Sequence, residues 1–179
     1  MTEIFKECGL SNRDIMLTQA EVFGRLIEPM SEHATLGWMQ RTAMSDLMGK
    51  EVLETKKDAL YRITDRLVEN KERIEELLAR REGKLFRHED AVYLYDLTSS
   101  YFEGTTQDNP KARHGYSRDG RPDCKQVVVG LALDREGFVK RHEVFEGNRQ
   151  DITTLKIVVD RLREGLKDRK RNPTISVDR

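Results

Sequence analysis

Cysteine is almost absent. Cys8 and Cys124 are the only two in 179 residues. Their separation does not give metal-ligand spacing, and so few thiols suggest a reducing compartment. Net charge is absent too: 32 basic side chains balance 32 acidic ones. There is therefore no global cationic field, and binding to nucleic acid has to come from local patches. No apolar run approaches the roughly 18 residues that a membrane span requires. The N-terminal residues MTEIFKECGL carry no signal-peptide pattern. No internal repeat or low-complexity segment is visible. Together these absences point to a soluble, cytoplasmic chain with no membrane partner. Its length is enough for one or two domains with a real core.

Two regions are expected, a helical one over 1–82 and a mixed strand-and-helix one over 91–179. The change falls near Arg81-Glu82-Gly83-Lys84, where a charged helix meets a glycine stop. Residues 1–10 read as a loose start. Apolar residues recur at helical spacing from Asp14 to Ile27, and Pro29 interrupts the pattern. Ser31 is placed to cap a following helix that carries Leu36, Trp38 and Met39. From Ala59 to Arg80, Leu60, Ile63, Leu67, Ile74 and Leu77 form one stripe, interrupted by Asn70. Lys71/Glu75 and Glu76/Arg80 are i,i+4 pairs on the outer face. Such a helix either packs in a bundle or presents itself to DNA or a partner.

The second region carries the chemistry. Val92–Thr98 reads as a strand that delivers Asp96 at its carboxyl end. A polar stretch, 99–124, follows and contains Gly104, Pro110, Gly115, Gly120 and Pro122. Val127–Leu133 is a continuous apolar run, as expected of a strand buried on both faces. Asp134-Arg135-Glu136-Gly137 is a hairpin turn, and Phe138–Phe145 is the return strand. Asp151 is placed to cap a helix burying Ile152, Leu155, Val158, Val159 and Leu162. That helix crosses over to a last strand, Thr174–Val177, parallel to an earlier one, and this strand delivers Asp178. With the first strand central, Asp96 and Asp178 come to lie side by side. The order matches the front half of a ribonuclease-H-like fold, in the α/β (α+β) class. Carboxylates fixed on apolar strands are a common way to build a divalent-metal site.

Several segments in order resemble one family. Tyr95-Asp96-Leu97-Thr98-Ser99-Ser100-Tyr101-Phe102-Glu103-Gly104 resembles the first catalytic segment of bacterial insertion-sequence transposases with a DDE site. His114 to Val127 resembles the family's basic loop leading into the second strand. Leu133–Phe138 and Glu146–Asp151 continue the match, and Val177-Asp178-Arg179 matches the strand-end segment of the second catalytic Asp. The likeness is close over 91–179 and loose over 20–82. It implies DNA transposition by metal-dependent phosphodiester cleavage and strand transfer. It also implies Asp96 and Asp178 as catalytic metal ligands, two Mg2+ (or Mn2+) ions in the complete enzyme, transposon-end and target DNA as partners, and a homodimer in a synaptic complex. The family's third carboxylate, a Glu on a later helix, has no counterpart before Arg179. The chain is therefore expected to be an incomplete catalytic core that cuts no DNA by itself.

The residue types suit that chemistry. Two divalent ions about 3.5–4 Å apart can activate a hydroxyl and stabilise the leaving oxygen of an in-line displacement. Hard carboxylate oxygens suit Mg2+ better than thiolate or imidazole. Between Lys111 and Lys125 lie five cations (Lys111, Arg113, Arg118, Arg121 and Lys125) against two acids, Asp119 and Asp123. This loop is expected to hold DNA phosphates and to pack poorly without them. Tyr101 and Phe102 read as packing groups or as stacking partners for a base. His142 reads as an edge residue, and Asp151 as a helix cap. Two other readings compete. A strand-end Asp followed by Leu-Thr also resembles haloacid-dehalogenase-type phosphatases, but their second Asp would fall on Thr98. A non-catalytic DNA- or partner-binding remnant that interferes with an intact transposase would share the fold.

Overall fold

A computed structural model describes residues 1–49, 54–85, 92–117, 119–149, 151–165 and 174–177. The chain divides into two compact units, Met1–Glu82 and Gly83–Arg179.

Unit 1 is helical: α1 (Thr2–Glu7), α2 (Asn12–Ile27), α3 (Glu32–Arg41), α4 (Met44–Met48), α5 (Lys57–Glu69) and α6 (Lys71–Leu85). α2 starts at a capping box. The Ser11 hydroxyl oxygen accepts from the Asp14 amide, and the Asp14 carboxylate accepts from the Ser11 amide. Asp14 also accepts from Arg66 at 2.5 Å, which ties the start of α2 to the end of α5. Pro29 prevents continuation of α2, and the Ser31 side chain caps α3 by accepting from the Ala34 amide.

The stripe of α5 and α6 forms the core as expected. Leu60, Ile63 and Leu77 are buried with Ile4, Phe5, Leu10, Ile15 and Leu17, and Leu67 and Ile74 pack at the margin. Each fully buried aliphatic side chain contributes about 1.5–3 kcal/mol. A second cluster gathers Ala20, Trp38, Met39 and Met44. Residues 1–10 are not loose, because Ile4 and Phe5 anchor α1 in the core. Gly83 does not stop α6, which runs on to Leu85. The break falls instead at Asn70, whose side-chain amide donates to the Arg66 carbonyl at 2.9 Å.

Unit 2 is built on a sheet of β1 (Val92–Tyr101), β2 (Gln126–Asp134), β3 (Val139–Glu146) and β4 (Thr174–Val177), with α7 (Asp151–Gly165) between β3 and β4 in the chain. The strand order is β3-β2-β1-β4. β1, β2 and β3 form an antiparallel sheet, and β4 joins β1 in parallel. The class is α+β.

Side chains alternate along β1. Tyr93, Tyr95 and Leu97 are buried with Val128, Ala132 and Val158 of α7, while Leu94, Asp96 and Thr98 are exposed. Gly130 opposite Leu97 leaves room for Tyr95, since a Cβ there would come within 2.6 Å of the Tyr95 hydroxyl oxygen. β2 is not buried on both faces as its apolar run implied. Val129, Leu131 and Leu133 are only half-buried, because α7 packs on the face that carries Val128 and Ala132. On α7, Val158 is buried and Leu155 packs against the same cluster, whereas the side chains of Ile152 and Leu162 lie outside the described residues. Among the described residues no helix is long and apolar enough to cross a membrane.

Candidate functional site

Asp96 stands in the middle of β1, not at its end. The strand continues through Thr98, Ser99 and Ser100 to Tyr101, each paired across to β2 as far as Gln126. Thr and Tyr are good strand formers, and the register with an apolar β2 outweighs the two serines. Asp96 is nonetheless where the described parallel pairing stops: Tyr95, the residue before it, is the partner of Val177, the residue before Asp178. Asp178 itself lies outside the described residues. Asp96 is exposed and makes no hydrogen bond or ion pair among them. Its cross-strand neighbour is Leu131, and beyond Leu131 on β3 lies His142, so the carboxylate shares its row with one aliphatic and one imidazole side chain. Leu94, two residues earlier on the same face, is 44% exposed.

The basic loop is anchored, contrary to the expectation of loose packing. Arg113 and Gln126 exchange backbone hydrogen bonds at 3.1 and 2.9 Å, the Gly147 amide donates to the Lys111 carbonyl at 3.0 Å, and the Phe102 amide donates to the Lys125 carbonyl at 2.8 Å. Ala112 is fully buried. The buried Gln126 side chain is the keystone, since its amide donates to the carbonyls of Tyr116 and Gly147, both at 2.9 Å. Two glycines permit this close approach. A Cβ on Gly115 would come within 2.0 Å of the Gly147 carbonyl oxygen, and one on Gly147 within 2.0 Å of the Gln126 carbonyl oxygen.

The five loop cations differ in what they already hold. Arg121 forms a two-pronged pair with Asp123, both bonds 3.0 Å, lies 3.8 Å from Glu103 and stacks 5.2 Å above the Tyr101 ring. The Arg121 hydrogen bond holds the Asp123 carboxyl down at about 2, and Asp123 in turn raises the Arg121 guanidinium. Partial burial and the hydrogen bond to Asp123 push the Cys124 thiol up. Arg121 is thus a loop anchor. The Lys111 ammonium donates to the Val144 carbonyl on β3 at 2.7 Å. Arg113 and Lys125 form no ion pair among the described residues, and Arg118 lies outside them. A cleft of about 430 Å³ opens beside this loop, lined by Phe102, His114, Arg121 and Lys125 among others.

Asp134, read from the sequence only as part of a hairpin turn, is a buried structural carboxylate. It is 1% exposed and organises the β2–β3 hairpin. One carboxylate oxygen accepts from the amides of Glu136 (3.0 Å) and Phe138 (2.8 Å), and the other faces the Lys140 ammonium at 2.9 Å. Burial works against its charge, but Lys140 and the two amides outweigh burial and hold the carboxyl below its usual range. Gly137 completes the turn at φ +89°. The spacing Asp-x-x-Gly between two apolar runs was the available signal. α7 starts at Asp151, whose side chain lies outside the described residues. No protein-family model, curated protein or solved structure matches the chain.

Proposed function

We propose that unit 2 carries the metal-binding sheet of a DDE-type transposase with a ribonuclease-H-like core. In this reading it acts in metal-dependent cleavage and strand transfer of DNA. One observation carries the reading: β1 is flanked by antiparallel β2 and parallel β4, in a register that pairs Tyr95 with Val177. Continued by one residue, that register would set Asp178 opposite Asp96. The donor chemistry fits a hard divalent ion. Asp96 is an exposed carboxylate on a rigid strand with no competing partner among the described residues.

Asp96 and Asp178 would hold Mg2+ or Mn2+, and the bound metal would supply Lewis-acid stabilisation of the reacting phosphate. The chain's own side chains then have separate tasks. Asp96 is held on a strand paired on both sides, and Asp178 would follow directly from β4. Arg113 and Lys125 contact DNA phosphates, Lys111 and Arg118 extend that track, and Arg121 fixes the loop. Charge is divided in the matching sense, since residues 83–179 carry 19 basic and 16 acidic side chains against 13 and 16 in residues 1–82.

The test has two readouts. Mn2+ titration should broaden the amide resonances of Tyr95, Asp96 and Val177 first, and Asp96→Asn should abolish that broadening. In a full-length relative that carries the third carboxylate, metal-dependent nicking of DNA should disappear in the equivalent Asp→Asn variant. Broadening centred elsewhere, or unchanged in Asp96→Asn, would refute the assignment.

A further inference from the structure

We propose that a cleft between α1, α2 and α4 of the helical unit binds a small amphiphilic anion, an alkyl or ring body ended by one carboxylate or phosphate. The cleft measures about 570 Å³, within the range of small-ligand sites. Its floor is apolar, made of Ile15, Met16 and Met48, and Leu47 forms a lip that is 80% exposed. Methionine side chains adapt to irregular apolar ligands. Lys6 and Arg13 supply positive charge at the rim, and among the described residues no acidic side chain lines the cleft.

That absence matters because unit 1 is rich in acids. Arg25, Arg62, Arg66, Arg73, Arg80 and Arg81 each pair with a nearby carboxylate. Lys6 and Arg13 are exposed and form no ion pair among the described residues. Two cations without an ion pair among the described residues, above an aliphatic floor, favour a ligand with one anionic end and an apolar body. Among the described residues the cleft has no aromatic wall to stack a base, and the surrounding acidic unit disfavours a polyanion. The inference is independent of the transposase reading.

The full chain is titrated with octanoate, octyl phosphate and 1-octanol by calorimetry, with methyl-labelled methionine observed by NMR. One anion should bind per chain, about tenfold or more tighter than the neutral alcohol. The methyl resonances of Met16 and Met48 should shift, and those of Met39 and Met44 should not. The double variant Lys6→Gln/Arg13→Gln should lose the preference for the anion while keeping its thermal midpoint, because both side chains are exposed. Leu47→Asp should weaken both anions. The octanoate and octyl phosphate arms rank the two headgroups. Octanol binding as tightly as octanoate, several equivalent sites, or an unchanged preference in the double variant would overturn the proposal.

Discussion

Removing the Asp134 carboxylate should damage unit 2 more than any other single change of charge. Asp134 and Lys140 are 2% and 10% exposed at their side chains, so this is a buried pair. Asp134→Ala removes the buried carboxylate that faces the Lys140 ammonium and accepts from the amides of Glu136 and Phe138. Breaking a buried pair from one side costs about 3–5 kcal/mol. In a unit of this size 1 kcal/mol moves the midpoint by about 4–8 °C, so the loss is about 12 °C or more. Asp134→Asn keeps an oxygen for the amides of Glu136 and Phe138 and loses only the charge facing Lys140. It should cost about 1.5–3 kcal/mol, the worth of a charge-assisted hydrogen bond.

Urea unfolding followed by far-UV circular dichroism gives the stabilities. Trp38, the sole tryptophan, lies in unit 1 and reports whether the loss is confined to unit 2. A cycle with Lys140→Met isolates the pair. The sign of the pH effect follows from the lowered Asp134 value. The carboxylate's contribution is complete above its unfolded value of about 3.9 and is lost as pH falls through the lower folded value. Asp134→Asn should remove that acid-side slope. An Asp134→Ala variant within about 0.5 kcal/mol of the parent, the range of ordinary surface changes, would refute the keystone role.

Three further outcomes are expected. Glu21 is 7% exposed, with one carboxylate oxygen lacking a hydrogen-bond partner, and burial raises its carboxyl above the usual value. Its favourable contribution is complete below the unfolded value of about 4.3 and lost as pH rises through the folded one, so Glu21→Gln should stabilise unit 1 at pH 7 by about 1 kcal/mol, read from Trp38 fluorescence. Gly147→Ala drives a Cβ into the Gln126 carbonyl oxygen and should cost about 3 kcal/mol, with faster amide exchange at Arg113 and Gln126; an unchanged exchange rate would deny that the glycine holds the loop. In DNA binding, Arg113→Ala/Lys125→Ala should flatten the salt dependence by about two phosphate contacts, whereas Arg121→Ala should leave the slope nearly unchanged. A large slope change in Arg121→Ala would mean that its pair with Asp123 opens on DNA.

The order of elements in unit 2 was legible because each strand carries its own local signal. Val127–Leu133 is an apolar run, Asp134 to Gly137 a hairpin turn, and Thr174–Val177 a short apolar strand. The end of β1 was not legible. Ser99 and Ser100 are weak strand formers, and only their pairing with Val128 and Val127 keeps the chain extended. The α1 helix was missed for a similar reason: six residues are too few for a periodic pattern, and tertiary contacts of Ile4 and Phe5 hold it. At the candidate site the residue types of the loop suggested five equivalent cations. Whether an Arg is available depends on its neighbours in space, and Asp123 and Glu103 take Arg121 out of that set.

Asp96 and the apolar face around it are physically linked. Leu94 and Leu131 flank the carboxylate on a face where Val129 and Leu133 are only half-buried. Aliphatic surface favours being covered, at about 25 cal/mol per Å² removed from water. Any element or partner that covers this face would also strip water from Asp96, and an unpaired carboxylate resists that by several kcal/mol. A divalent cation on Asp96 removes most of the resistance. In the proposed reading, then, ion binding and covering of the face promote each other, and Asp96→Asn should uncouple them. The neutral amide is cheaper to desolvate than the carboxylate, so the variant should let the face be covered without any metal. Self-association measured by sedimentation should therefore rise with Mg2+ in the parent and lose its Mg2+ dependence in the variant. Equal Mg2+ dependence in both would break the link between this carboxylate and the surface around it.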